Sequence, residues 1–153
     1  MKTKDLLIEK MYELSKKPYQ RFFKRNKAWE ITVPELIQFP NESLGFHLGN
    51  FIQKNNFEMQ PKLEDHDIIH VLTNTGISVT EEIGMQYYLL GNGKKSLYLF
   101  LVILTGTLFY PTRFDYFIQQ YQRGLEAHSF HHLDFLKMLQ QPVTTIRETF
   151  NIK

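Results

Sequence analysis

Apolar residues recur along this chain at spacings of three and four, the period of a helix with one buried face, and no stretch alternates as a half-buried strand would. Residues 4–17 place Leu6, Leu7, Met11 and Leu14 among lysines and glutamates, which predicts an amphipathic helix. Glu30 to Val33 reads as extended, and Pro34 is suited to open a short helix through Phe39. Ser43 or Asn41 is a natural N-cap for Leu44, His47, Leu48, Phe51 and Ile52; His47, on that apolar side, reads as a hydrogen-bonded core or cleft residue. Asn55-Asn56 ends that helix. Glu64 or Asp65 can cap the next, which runs to about Thr73 and breaks at Asn74-Thr75-Gly76. Another starts near Ser78 or Thr80 and stops at Gly91-Asn92-Gly93. Residues 97–110 are apolar except for Thr105-Gly106-Thr107. They fall short of the roughly 20 residues a bilayer requires, so they predict a buried helix or the wall of an apolar groove. After Pro111-Thr112 a long helix turns Phe114, Phe117, Ile118, Tyr121 and Leu125 inward, and Gly124 within it suggests the close approach of another backbone or a ligand. Pro142 opens a closing helix with Val143, Ile146 and Phe150. The expectation is all-α: a single-domain helical bundle of about seven to nine helices. A basic amphipathic segment, residues 1–30, precedes the helical domain at 31–153.

Composition narrows the class. A chain of 153 residues builds one core, and 13 Phe with 8 Tyr suit either a bulky interior or a groove for a large apolar ligand. With no cysteine, any metal must be held by nitrogen and oxygen, and thiolate chemistry is excluded. A net charge of +2 gives no footprint for nucleic acid. Half of the 18 basic residues nevertheless fall in the first 27 positions, and from Tyr19 to Trp29 cations interleave with aromatics. That mixture fits a solvated basic helix with its aromatics on the core, or contact with anionic lipid or a partner. The first segment lacks the apolar core and cleavage site of a secretory signal, so a cytoplasmic location is expected, at the inner face of a membrane if the basic segment binds lipid.

The candidate chemistry lies in residues 66–82. With about 100° per residue, His70 sits near 40° from His66 and Asp67 near 100°, while Ile68, Ile69 and Leu72 occupy the opposite side. Two imidazoles at i, i+4 are the spacing by which a helix binds zinc. A glutamate near the start of the following helix can fold back across the turn to add an oxygen ligand, and two neutral imidazoles with two carboxylates balance a divalent ion. Zinc suits such a set; manganese, iron and cobalt are also compatible. The same spacing also occurs on ordinary solvated helix faces. A second cluster, His128, His131 and His132, has no well-spaced carboxylate beyond Asp134 and reads as a turn. An HD phosphohydrolase would need a further histidine and aspartate. His47 and Asp115 are the only candidates, in surroundings that do not read as that site.

His66-Asp67-x-x-His70, eleven residues, then Glu82 resembles the metal signature of the ubiquinone (coenzyme Q) biosynthesis family Coq-four. Pro40-Asn41-Glu42-Ser43-Leu44-Gly45 is similar to that family's helix start, and residues 134–152 to its closing segment, so the resemblance covers about residues 34–152. There are departures: Asn74 stands at a usual glycine, Glu81 at the glycine before the ligand, and Phe135 at a usual tryptophan. The resemblance implies an all-helical, peripherally membrane-associated protein in which His66, Asp67, His70 and Glu82 hold a divalent metal, most simply zinc. The implied activity is metal-assisted (oxidative) decarboxylation at the C1 carboxyl position of a prenylated hydroxybenzoate, a carbon–carbon lyase reaction. In this reading residues 97–110 and the Phe-rich final helices shelter the prenyl tail. The alternative is a non-catalytic prenyl-lipid-binding scaffold with a structural metal. Implied partners are a prenylated aromatic or quinone lipid, other quinone biosynthesis proteins, a membrane surface and a second copy of the chain.

Overall fold

The computed structural model describes Leu6, Lys10, residues 28–59 and residues 64–153. The helix expected over 4–17 and the aromatic-cationic run from Tyr19 to Lys27 lie outside those residues, apart from Leu6 and Lys10. The described residues form seven α-helices: α1 Val33–Ile37, α2 Leu44–Lys54, α3 Glu64–Thr73, α4 Val79–Gly91, α5 Leu97–Phe109, α6 Phe114–Glu126 and α7 Val143–Thr149. Short 3-10 turns lie at Pro111–Arg113 and Phe135–Met138, and the protein is all-α, its only β-type pairing among these residues being an isolated bridge, Ser43 to Pro142.

Residues 28–75 and 126–153 make one compact unit. Thr32 caps α1 in a reciprocal box with Glu35, and Pro34 lies in its first turn. Ser43 caps α2, its hydroxyl accepting the Phe46 amide at 3.2 Å. The buried stripe of α2 is Leu44, Gly45, Leu48, Gly49 and Ile52. Gly45 lies against the Phe39 ring and the Leu139 carbonyl, and Gly49 against Leu36 and Ile37. This stripe leaves His47 exposed, with an edge contact to Phe46, so it is not the core or cleft histidine that the spacing suggested. The amides of Leu44 and Gly45 donate to the carbonyls of Gln141 and Leu139, and that of Val143 to Glu42, which ties α2 to the closing segment. Glu64, buried at the start of α3, accepts the Trp29 amide at 2.9 Å.

Residues 76–125 make the other unit, around Ile83, Tyr87 and Phe117. Tyr87 and Phe117 stack with centroids 5.2 Å apart. Where α4 and α6 cross, a Cβ on Gly124 would run into the Tyr88 carbonyl and one on Gly91 into the Tyr121 carbonyl, so the close approach suspected at Gly124 is a backbone crossing. In α6, Phe117 is buried and Ile118 and Tyr121 pack against this core. Phe114 and Leu125, expected inside, are exposed, because the buried stripe instead follows Phe117, Gln120 and Gly124.

Residues 97–109 are helical, as expected, but they are not a buried helix. Only Leu99 and Gly106 of α5 are buried, whereas Leu97, Phe100, Leu101, Leu104 and Leu108 are exposed. One narrow face of α5 meets the unit through Gly106 on Ile83. Among the described residues no single helix is long and apolar enough to cross a membrane; only α5 with residues 111–126, bent by 105°, has the combined length.

Candidate metal centre

The site is built on the helix-turn-helix of α3 and α4. Ile68, Ile69 and Leu72 are buried, which fixes the rotation of α3 and sets His66 and Asp67 on its partly exposed side. Their side chains are 19% and 16% exposed, with His66 Nδ1 3.5 Å from Asp67 Oδ1. His70 is buried at 2% exposure. Its ring stacks on Phe51 with centroids 5.4 Å apart and meets the His66 ring edge-on at 4.7 Å. His70 Nδ1 lies 3.1 Å from the Thr75 carbonyl. That carbonyl has no proton, so Nδ1 is the donor, a hydrogen bond of the kind that orients metal-bound histidines.

The turn that places the carbonyl is local chemistry. Asn74 takes φ 52°, a left-handed conformation that asparagine tolerates. The Thr73 hydroxyl lies 2.7 Å from the Ile69 carbonyl and 2.6 Å from Thr75 Oγ1, and the Thr75 amide donates to the His70 carbonyl. Beyond the turn, the carboxylate of Glu81 accepts the Ser78 amide at 3.1 Å and the Ser78 hydroxyl, forming a capping box at the start of α4. Glu81 also lies over Gly76, where a Cβ would collide with its carboxylate.

Glu81 is therefore engaged at the helix end, and the adjacent Glu82 is the acid that joins the histidines. His66, His70 and Glu82 each offer a ligand atom, all within 4.8 Å of one another. Ligands of one tetrahedral zinc lie about 3.4 Å apart, a separation of the same order. Two imidazoles and a carboxylate fit a divalent cation, and this triad is a possible metal-binding site; Asp67 lies beside His66 and outside the triad.

A crystal structure of a proposed ubiquinone biosynthesis protein from Nostoc punctiforme PCC 73102 is similar to this chain, with a TM-score of 0.64 and 19% identity over 94% of this chain and 82% of that one. The two share a fold. No protein-family model and no curated protein matches the chain.

Sequence reasoning missed three supports of the site. Phe51 and Thr75 contact His70 directly, and Arg147 of α7 donates to the carbonyls of Leu72 at 3.0 Å and Val71 at 2.8 Å. Arg147 thereby satisfies orphan carbonyls in the last turn of α3, just beyond His70. The 75-residue separation left no sequence signal for that contact. The Ser78-x-x-Glu81 capping box, by contrast, was a readable signal. His131 and His132 meet edge-on beside Ser129 in a loop, with no carboxylate completing a metal group there among the described residues.

Proposed function

We propose that this chain is a Coq-four-type protein of quinone biosynthesis that acts at the C1 carboxyl position of a prenylated hydroxybenzoate by metal-assisted decarboxylation, the bond from C1 to the carboxyl carbon breaking to release carbon dioxide and C1 taking up a proton, and so is a metal-dependent carbon–carbon lyase. The observation that carries the reading is the donor triad His66, His70 and Glu82, in a chain that repeats the spacing of that family's metal signature. The shared fold with the Nostoc protein, whose description proposes ubiquinone biosynthesis, supports it. Zinc is the proposed ion.

A divalent ion held there would supply Lewis acidity toward the ring carboxylate and its neighbouring oxygens. The chain's own residues do the rest. Thr75 fixes the imidazole of His70, and Phe51 covers one face of that ring, limiting its contact with water. Asp67, beside the His66 ring, would be a fourth, weakly held ligand whose place water or substrate could take; three firm ligands and an open position are the arrangement of catalytic rather than structural zinc. The half-buried Val79, Val102, Ile103, Tyr110 and Tyr116 pack against the cluster of Ile83, Tyr87 and Phe117, and would offer apolar surface to a prenyl chain. Each methylene buried there contributes about 0.8 kcal/mol.

Other quinone biosynthesis proteins are proposed as partners, with no nucleic acid. The basic residues before position 28 would supply peripheral contact with anionic lipid at the cytoplasmic face of a membrane. The second reading is a prenyl-lipid-binding scaffold whose metal only joins helices.

Metal analysis of the purified chain, followed by incubation with a prenylated 4-hydroxybenzoate labelled at its carboxyl carbon, separates them. Bound metal with label released as carbon dioxide supports the enzyme. Bound metal without turnover supports the scaffold, and failure of the wild type to take up any divalent metal overturns both.

A further inference from the structure

The last turn of α3 is gripped from the far end of the chain. The His70 carbonyl accepts the Thr75 amide at 3.2 Å, and the next two carbonyls, of Val71 and Leu72, accept Nη2 and Nε of Arg147 at 2.8 Å and 3.0 Å. Both donors belong to one planar guanidinium, so they fix the two carbonyls relative to each other as well as to α7. Arg147 is itself held from behind. Its own carbonyl accepts the Ile152 amide at 2.8 Å, across a turn in which Asn151 takes φ 51°, and Ile152 is buried. Leu72, Thr73 and Thr75 are buried as well, so water is a poor substitute for the guanidinium at this spot.

On the reading of His66, His70 and Glu82 as a metal centre, we propose that Arg147 is a positioning residue for that centre, acting through His70. The path between them is short. Arg147 holds the carbonyls of the two residues that follow His70, and the turn just beyond them brings the Thr75 carbonyl back to His70 Nδ1 at 3.1 Å, with the Thr73 and Thr75 hydroxyls 2.6 Å apart across it. Take the guanidinium away, and the end of α3 must open toward water to satisfy its carbonyls. The Thr75 carbonyl shifts with it, and the imidazole loses the bond that sets its ring. Partners that orient a metal-binding histidine in this way are worth about 10–100-fold in metal affinity. A side chain that only capped α3 would change the stability of the fold and leave the affinity of the folded protein alone.

Zinc titration of the purified full chain, together with NMR of its apo form, tests this role. In the wild type the His70 Nδ1 proton, shielded by the Thr75 carbonyl, should give a resolved downfield signal that is absent from His70→Ala. Arg147→Met keeps the reach of the side chain and removes both donors. It is expected to stay helical by circular dichroism, lose that signal and bind zinc about 10–100-fold more weakly. Arg147→Lys keeps the charge without the planar pair of donors and should fall between the two; if Arg147→Met does not fold, the lysine variant carries the comparison. Ile146→Val, at a buried position of α7 with no part in these bonds, should lose stability but keep both the signal and the affinity. An Arg147→Met protein that binds zinc as tightly as the wild type, or an Ile146→Val protein that loses as much affinity, overturns the positioning role alone. A wild type that shows the signal but takes up no zinc overturns the metal reading and this role with it.

Discussion

Two adjacent glutamates do different work at the start of α4. Glu81 closes the capping box with Ser78, while Glu82 is the acid that offers a ligand atom together with His66 and His70. Neutralising each should therefore have separable effects. Glu81→Gln is expected to lower stability by about 1 kcal/mol and leave metal binding intact, whereas Glu82→Gln should cost little in the apo protein and weaken metal binding at least about ten-fold. Chemical denaturation of the apo protein and titration with zinc read the two quantities apart. His70→Ala should abolish stoichiometric metal binding altogether. Much of this scale was legible before any coordinates: helical spacing brought His66 and His70 to one side, and Asn74 is a residue that tolerates its φ of 52°. The contacts of His70 with Phe51 and the Thr75 carbonyl were not, because sequence carries no record of which distant ring or turn carbonyl meets a buried imidazole.

At the scale of elements, the crossing of α4 and α6 depends on the absence of two side chains. Gly124→Ala gains helix propensity of about 1 kcal/mol but drives a methyl into the Tyr88 carbonyl, and the expected net outcome is a destabilisation of about 1–3 kcal/mol by denaturant unfolding. At the same crossing burial pushes the Tyr88 hydroxyl up to about 12, partly offset by the Arg123 guanidinium, which lies 5.6 Å from the ring centroid. In the unfolded chain that phenol ionises near its ordinary value of 10, while in the folded chain it stays neutral. Its contribution to stability is therefore complete below pH 10 and is lost as the pH rises toward 12. Tyr88→Phe should flatten that alkaline loss, read as the pH dependence of the unfolding midpoint. Helix positions followed from caps and breakers: Ser43, Ser78 and Pro142 each sit at the start of the helix they were expected to open. What periodicity could not settle was which face is inside. In α5 nearly every position is apolar, so no stripe distinguishes the face on Ile83 from the leucines left outside. In α2 the glycines at 45 and 49 draw the packed face toward themselves and leave His47 out.

For the molecule as a whole, a metal bound by the folded chain and not by the unfolded one adds stability by mass action. At a hundred-fold excess over Kd the gain is about 2.7 kcal/mol, and the melting temperature of a chain this size should rise by about 5–10 °C when zinc is added to the stripped protein and fall again with chelator. His70→Ala should melt at the same temperature with and without zinc. The all-α class followed directly from the helical period of the apolar residues. The division into residues 28–75 with 126–153 and residues 76–125 did not, since it rests on contacts between segments far apart in sequence. The proposed role of a metal held by His66, His70 and Glu82 in loss of the C1 carboxyl group from a prenylated hydroxybenzoate is tested most directly by the carbon dioxide released from carboxyl-labelled substrate as a function of metal loaded. Release that rises in proportion to bound metal and vanishes in His70→Ala is the predicted result; metal-loaded wild type that releases no more label than His70→Ala would contradict it.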